Sequence, residues 1–423
     1  MEKDYRFIER LIREQGEELI AFGRRLFACP EPGFKEVKSN KILTSFFLKN
    51  GIACRNDLSL TGIRADIGSG AGYHIALVAD MDALLVKEGE RSYPIHSCGH
   101  SIQTAVMAYV LKLLKESGIV ERLGGTVSFI ATPAEEFIDL DFREELVREG
   151  RIVSCSGKQD MIAHGVFDDI DCVLSMHING DTDTLFDVGS TLTGFMVKKA
   201  VFQGRAAHSG AAPHLGRNAL HGASLFLDAL AYLKDRFPAE AGVQIHPVLS
   251  SCSGSMNVIP DEAVLESYVR ANTLEDLMEA GKQFDRCAIH CAQALGLECW
   301  IENRTGYMPL RQSDGLNRLI AQHMLEIGGE EKLVRNVVSG ASGDIGDLAY
   351  LLPTVQFGFS GMRGRFHSGE FEIVDEENAY LHTAQIVMKT VCDLLSHEEL
   401  QVRNADYAER KAFYLKNWLR QSL

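Results

Sequence analysis

Three apolar runs in this chain lead into side chains of the kind that bind metal ions. GYHIALVADMDA (72–83) enters a polar loop, and HSCGH (96–100) follows with Cys98 and His100. GTVSFIATPAEE (125–136) ends in Glu135 and Glu136, and GVFDDIDCVLSMHI (165–178) closes on His177. Each run reads as a buried strand. Between them lie a helical pattern, SIQTAVMAYVLKLLKESG (101–118), and a charged helical segment, 139–150. This β-α-β-α-β alternation predicts an α/β fold with a mainly parallel sheet covered by helices. In such a sheet ligands bind beyond the carboxyl ends of the strands. A borderline-soft divalent ion takes thiolate, imidazole and carboxylate together. His367, in FHSGEF, offers one more imidazole. Several such groups delivered to one sheet edge predict a metal site.

Each of these residues alone has a plainer reading. Cys98 reads as a small buried hydrophobe, Glu135 and Glu136 as a solvated strand end, and His177 and His367 as satisfied histidines. GSGAG (68–72) lacks the spacing of a phosphate loop and reads as a turn. The sequence has no GxSxG elbow and no Walker motif.

A chain of 423 residues calls for two domains. The texture changes near residue 190. TGFMVKKAVFQGRAAHSG (193–210) and NVIPDEAVLESYVRA (257–271) alternate like strands with one wet face, and helical patterns follow each. After Tyr307 the buried pattern returns. The expected division is therefore 1–189 with 303–423 as one domain, and 190–302 as an inserted α+β domain. Ser101 is the expected N-cap of the helix after HSCGH and Gly118 its stop. The charged tail 399–423 reads as a helix on the outside. A net charge of −15 argues against a nucleic-acid partner. No apolar stretch is long enough for a membrane span, and no signal-peptide core is visible. Ten scattered cysteines show no CxxC pair, and all but Cys98 read as reduced core thiols of a cytoplasmic protein.

Taken in order, RRLFACPEPGFKE, ALVADMDAL, HSCGH, ATPAEE, MHI, FQGRAAHSGAAPHLGRNAL, NVIPDEA and FHSGEF resemble the M20 metallopeptidase and amidohydrolase family. The nearer likeness is to its branch of amino-acid-conjugate, N-acyl-amino-acid and aminobenzoyl-glutamate hydrolases. The resemblance implies a zinc-exopeptidase-like catalytic domain and an inserted lid and dimerisation domain. It implies two divalent ions, zinc or manganese with cobalt or nickel as alternatives, held by Cys98, His100, Glu136, His177 and His367. Glu135 becomes the general base. His208 of GRAAH becomes the residue that reaches a partner's active site in a homodimer, and Asn257 and Arg270 bind substrate. Asp80 and Asp82 orient ligand histidines from behind.

The chain departs from the branch at several points. Ser101 and Gln103 stand where an aspartate and a histidine are usual after CGH. Leu85 replaces a proline, Phe27 lies in the vicinity of a missing histidine, and Phe137 replaces the glycine after EE. The segment from Phe137 to Asp171 is longer than usual. The implied activity is hydrolysis of an amide bond in a small N-acyl amino acid, amino-acid conjugate or dipeptide. The alternatives are a dipeptidase or aminopeptidase, and a catalytically silent metal-stabilised dimer that binds small molecules.

Overall fold

The computed structural model describes residues 2–69, 72–89, 91–179 and 183–419. Gly70 and Ala71, in the expected GSGAG turn, lie outside the described residues. The chain forms two compact units. The first comprises Met1–Thr191, Arg311–Val338 and Asp347–Arg410; the second comprises Leu192–Leu310, Ser339–Gly346 and Lys411–Leu423.

The first unit is built on an eight-stranded sheet. Its order is Cys54–Leu58, Gly62–Gly68, Thr126–Thr132, His74–Asp80, Cys172–Ile178, Thr354–Phe359, Phe186–Val188 and Leu333–Arg335. The four strands from Thr126–Thr132 to Thr354–Phe359 run parallel. Three of them are the apolar runs of the sequence, and burial on both faces is what allows these to be apolar without alternation. The helix His100–Ser117 packs on strand His74–Asp80, and helices Glu2–Phe27 and Thr383–Ser396 pack on it in turn. Fifteen of its residues are buried, so it is wrapped on all sides. Helix Glu2–Phe27 instead buries one stripe, including Ile8, Ile12, Leu19, Ile20 and Leu26. Gly23 lies in that stripe because a Cβ there would meet the Tyr380 ring.

Ser101 does not cap the long helix. Gly99 holds the N-cap position in a left-handed conformation, with φ 78°, and Ser101 is buried one turn-step inside. Gly118 ends the helix as expected, also left-handed.

The second unit carries a four-stranded antiparallel sheet in the order Gln244–Cys252, Glu262–Ala271, Gly194–Gln203, Glu298–Thr305. Helices Ala219–Leu233 and Leu274–Ala294 cover one face. Phe226 joins them to the sheet, 4.9 Å from Phe284 and 5.7 Å from Phe202. Asn218 and Thr273 cap the two helices through Leu220 N–H and Asp276 N–H. This unit is larger than 190–302. The Gly-rich loop Ser339–Gly346 belongs to it, and so does the tail, where Tyr414 and Trp418 are buried and the Trp418 carbonyl accepts from Thr305 Oγ1 at 3.0 Å. Among the described residues no helix is long and apolar enough to cross a membrane.

Candidate metal centre

Adjacent parallel strands deliver the candidate side chains to one edge of the first unit's sheet. Asp80 pairs in register with Thr132, so the loops carrying Asp82 and Glu135–Glu136 leave side by side. His177 leaves the next strand one residue before its end. His100 opens the long helix, with Cys98 two residues ahead of it. His367 arrives from a loop in which its own backbone is left-handed, with φ 59°, and its N–H donates to the Ser97 carbonyl at 3.2 Å.

These residues meet. Cys98 Sγ lies 3.5 Å from His177 Nε2 and 3.5 Å from His367 Nε2. His367 Nε2 is 3.8 Å from Glu136 Oε1, and His100 Nε2 is 3.8 Å from Glu135 Oε2. Three overlapping triplets each bring one donor atom per residue within 4.8 Å of the others: Cys98–His100–His177, Cys98–Glu136–His367 and His100–Glu135–Glu136.

Polar groups behind the cluster fix its orientation. His100 Nδ1 donates to the Asp82 carbonyl at 3.0 Å and lies 3.3 Å from Asp82 Oδ1. Asp82 Oδ2 accepts the Glu136 N–H at 3.0 Å, so one buried residue sets both, His100 through its carbonyl and Glu136 through its carboxylate. His177 Nδ1 donates to the Ile178 carbonyl at 3.0 Å. In both histidines Nδ1 is thus the bonded nitrogen and Nε2 faces the cluster. Among the described residues Asp80 makes no hydrogen bond with a histidine. It accepts from Thr132 Oγ1 at 2.6 Å and pairs with the buried Lys158 ammonium, and it acts on His100 through charge.

The electrostatics match a site built for a cation. Burial pushes the Cys98 thiol well above its ordinary range, and the Glu136 carboxylate adds to the effect. Burial, then the His100 charge, lowers His177 to about 4. Burial alone would raise Asp82, but its bond to His100 and the charge of that ring bring it below the carboxylate range. Among the described residues, the buried His100 Nε2 and Glu136 Oε1 have no hydrogen-bond partner. A buried polar atom without a partner costs about 1–3 kcal/mol. A thiol, three imidazoles and two carboxylates, with two donor atoms unpartnered, suit a divalent ion of intermediate softness.

The remaining candidates lie in the second unit. His208 is exposed, and its Nδ1 accepts the N–H groups of Gly210 and Ala211 at 3.2 and 3.1 Å. Those bonds place the proton on Nε2. Asn257 is beside it, its carbonyl accepting from Ser209 N–H at 3.0 Å. Arg270 is at the far end of strand Glu262–Ala271, beside the rings of Phe195 and Tyr268, and donates to Ser342 Oγ at 2.7 Å.

Sequence reasoning missed three charged residues. Lys158, Arg143 and Glu36 are each fully buried next to the candidate cluster or its supports. The one usable signal was Asp80, a charge closing the apolar run Ile75–Ala79, which calls for a buried cation nearby.

The comparisons with known proteins point to one family. Residues 76–393 match the model of peptidase family M20/M25/M40. The chain is 27% identical over 405 residues to N-acetyl-L-cysteine deacetylase of Bacillus subtilis, covering 91% of this chain and 90% of that one. It is 25% identical over 384 residues to an IAA-amino acid hydrolase of Arabidopsis thaliana, covering 85% and 82%. A dinuclear metal-binding M20 peptidase from Bacillus subtilis shares the fold, with a TM-score of 0.71 at 21% identity over 90% of this chain and 99% of that one. The matched span reaches into all three pieces of the sheet-bearing unit and takes in the long insertion Leu192–Leu310, and the chain belongs to peptidase family M20/M25/M40, as a hydrolase of amide or peptide bonds.

Proposed function

We propose that this protein hydrolyses the amide bond of a small N-acyl amino acid, amino-acid conjugate or dipeptide with a free carboxylate, at two divalent ions held by Cys98, His100, Glu136, His177 and His367. The observation that carries the reading is the convergence of these side chains with His100 Nε2 and Glu136 Oε1 left unpartnered. Bound there, zinc or manganese supplies Lewis acidity and a water that ionises near neutral pH. Glu135 does the proton work. Its Oε2 is directed toward His100, next to the ligand atoms, and its partial burial suits a group that takes a proton from the attacking water and passes it to the leaving nitrogen. Asp82 keeps His100 in the tautomer that offers Nε2. The relatives support the substrate class, since one deacetylates N-acetyl-L-cysteine and another hydrolyses IAA-amino acids.

The second unit fits the role of a lid and dimerisation domain. His208 and Asn257 sit beyond the Glu262 end of a strand whose other end carries Arg270. From Glu262 to Arg270 an extended chain spans about 26 Å, more than a small substrate can bridge. His208 and Arg270 of one copy therefore serve different sites, which supports a two-fold homodimer in which His208 acts in the partner's site. The His208 Nε2–H is a preset donor for a developing oxyanion. The edge strand Gln244–Cys252 offers the contact surface. Val248 is 64% exposed there, and Tyr232 on the neighbouring helix is 75% exposed.

Metal analysis of protein purified without chelator, followed by a mass-spectrometric screen of N-acyl amino acids and dipeptides, tests the proposal. Two ions per chain and release of a free amino acid are expected, both lost in Cys98→Ala. A metal-free protein that stays inert after reconstitution with zinc, manganese or cobalt would overturn it. A strict need for a free α-amine would move the reading to a dipeptidase or aminopeptidase.

A further inference from the structure

The two glutamates of the cluster follow a residue in an uncommon conformation. Ala134 has φ 55°, and Phe34, across from it in the same small apolar cluster, has φ 60°. A left-handed residue other than glycine costs about 1–2 kcal/mol, and such strain persists only where its surroundings over-determine it. At Ala134 the surroundings are two fully buried ionisable side chains, Glu36 and Arg143. The Ala134 N–H donates to Glu36 Oε1 at 2.9 Å. The Ala134 carbonyl accepts from an Arg143 guanidinium nitrogen at 3.2 Å, and the same nitrogen donates to the Cys155 carbonyl at 2.9 Å. The peptide groups on both sides of the strained residue are therefore gripped.

Arg143 is an expensive way to make that grip. It is fully buried, and its Nε and second terminal nitrogen have no hydrogen-bond partner among the described residues. The guanidinium carbon lies 5.6 Å from the Phe34 ring centroid. Gly33 leaves the space it needs, since a Cβ there would approach the guanidinium within 2.4 Å and the Ala134 Cα within 2.7 Å. Breaking or emptying a buried charge site is costly, and swapping one for apolar groups is often neutral or stabilising. Arg143 is thus poorly explained by stability alone. It comes from the segment 137–171, and that segment is tied down again where Lys35 pairs with Asp139 at 2.7 Å and lies over the Phe142 ring.

We propose that Arg143, opposite Glu36, is a positioning residue: by holding the left-handed Ala134 peptide it aims Glu135 and Glu136 at the metal cluster. The longer segment is then a foundation of the centre rather than a substrate loop. The inference rests on the ligand set proposed above.

The test reads metal affinity of the metal-free protein by competition with a chromogenic zinc chelator, with kcat and KM read separately. Groups behind a metal site typically contribute about ten- to hundredfold in affinity or activity, and a loss of that size is expected for Arg143→Met, in affinity and kcat with KM little changed. Glycine adopts φ 55° without strain, so Ala134→Gly in the Arg143→Met background is expected to restore part of the affinity. If Arg143→Met does not fold, Arg143→Lys takes its place. Lysine keeps the charge but lacks the rigid fork, and a smaller loss with the same rescue by Ala134→Gly is expected. Glu136→Ala is the control for the ligand set. If Glu136→Ala binds zinc as the unmodified protein does, the metal reading fails. If Glu136→Ala loses zinc while the Arg143 variants bind it normally, or lose it without rescue at position 134, the clamp is wrong and the metal reading stands.

Discussion

The strand ends of the first unit and the His208 end of the second hold their polar groups in opposite ways. Around Cys98 and His100 each oriented group is bonded to another buried group. Asp82 holds His100 and Glu136, Thr132 and Lys158 hold Asp80, and Glu36 and Arg143 hold Ala134. His208 and Asn257 are exposed and are set by neighbouring turns. The first arrangement resists displacement because moving any member strands a buried partner. The second keeps orientation but leaves the outer face available. The first way suits a site that must be ready before substrate arrives, and the second suits the role in a partner's site proposed for His208.

Four changes would break or sharpen that contrast. Glu135→Gln is expected to have the largest effect, a loss of about 10²–10⁴-fold in kcat, the usual contribution of a positioned acid–base group. Metal content should be unchanged, and equal turnover at equal metal content would reduce Glu135 to a strand end. His208→Ala should cost about 10²–10³-fold, as removal of one oxyanion donor does, without altering metal binding. Mixing it with Glu135→Gln should return about a quarter of the wild-type sites under random pairing of a two-fold dimer. Confirmed subunit exchange with no recovered activity would assign His208 to its own chain. Asp82→Asn should weaken zinc binding about ten- to hundredfold, because the amide removes the negative charge that lies 3.3 Å from His100 Nδ1. Unchanged affinity would mean that the backbone carbonyl alone orients His100. The smallest effect on stability belongs to the exposed side. Val248→Lys should change unfolding free energy by less than about 0.5 kcal/mol yet shift sedimentation toward a monomer. A dimer of unchanged affinity would place the interface elsewhere.

The contrast also explains what could be read from the sequence. Strands His74–Asp80, Thr126–Thr132 and Cys172–Ile178 were legible because burial on both faces makes them continuously apolar, and the cluster was legible because its members follow those runs. Arg143 and Glu36 were not. In a charged stretch such as FREELVREGR nothing local separates the one arginine that turns inward from its solvated neighbours. The boundaries of the second unit were hidden for a similar reason. Ser339–Gly346 joins it through Thr193 Oγ1, which bonds the Gly340 carbonyl at 3.1 Å, a contact between residues remote in sequence. The tail carried a weak sign, Tyr414 and Trp418 four residues apart among charges, which is the spacing of one buried helix stripe.

His367 reaches the cluster from 269 residues beyond Cys98, with the inserted stretch Leu192–Leu310 between them. It is also the most exposed member, its side chain 54% accessible on a left-handed loop residue. An ion bound to both residues would act as a removable cross-link that closes a very long loop of chain. The loop-closure term grows only slowly with length, so most of the gain would depend on ion concentration, about 2.7 kcal/mol at a hundredfold excess over Kd. A protease cut within the insertion would then leave two fragments that stay together in zinc and separate more readily in chelator.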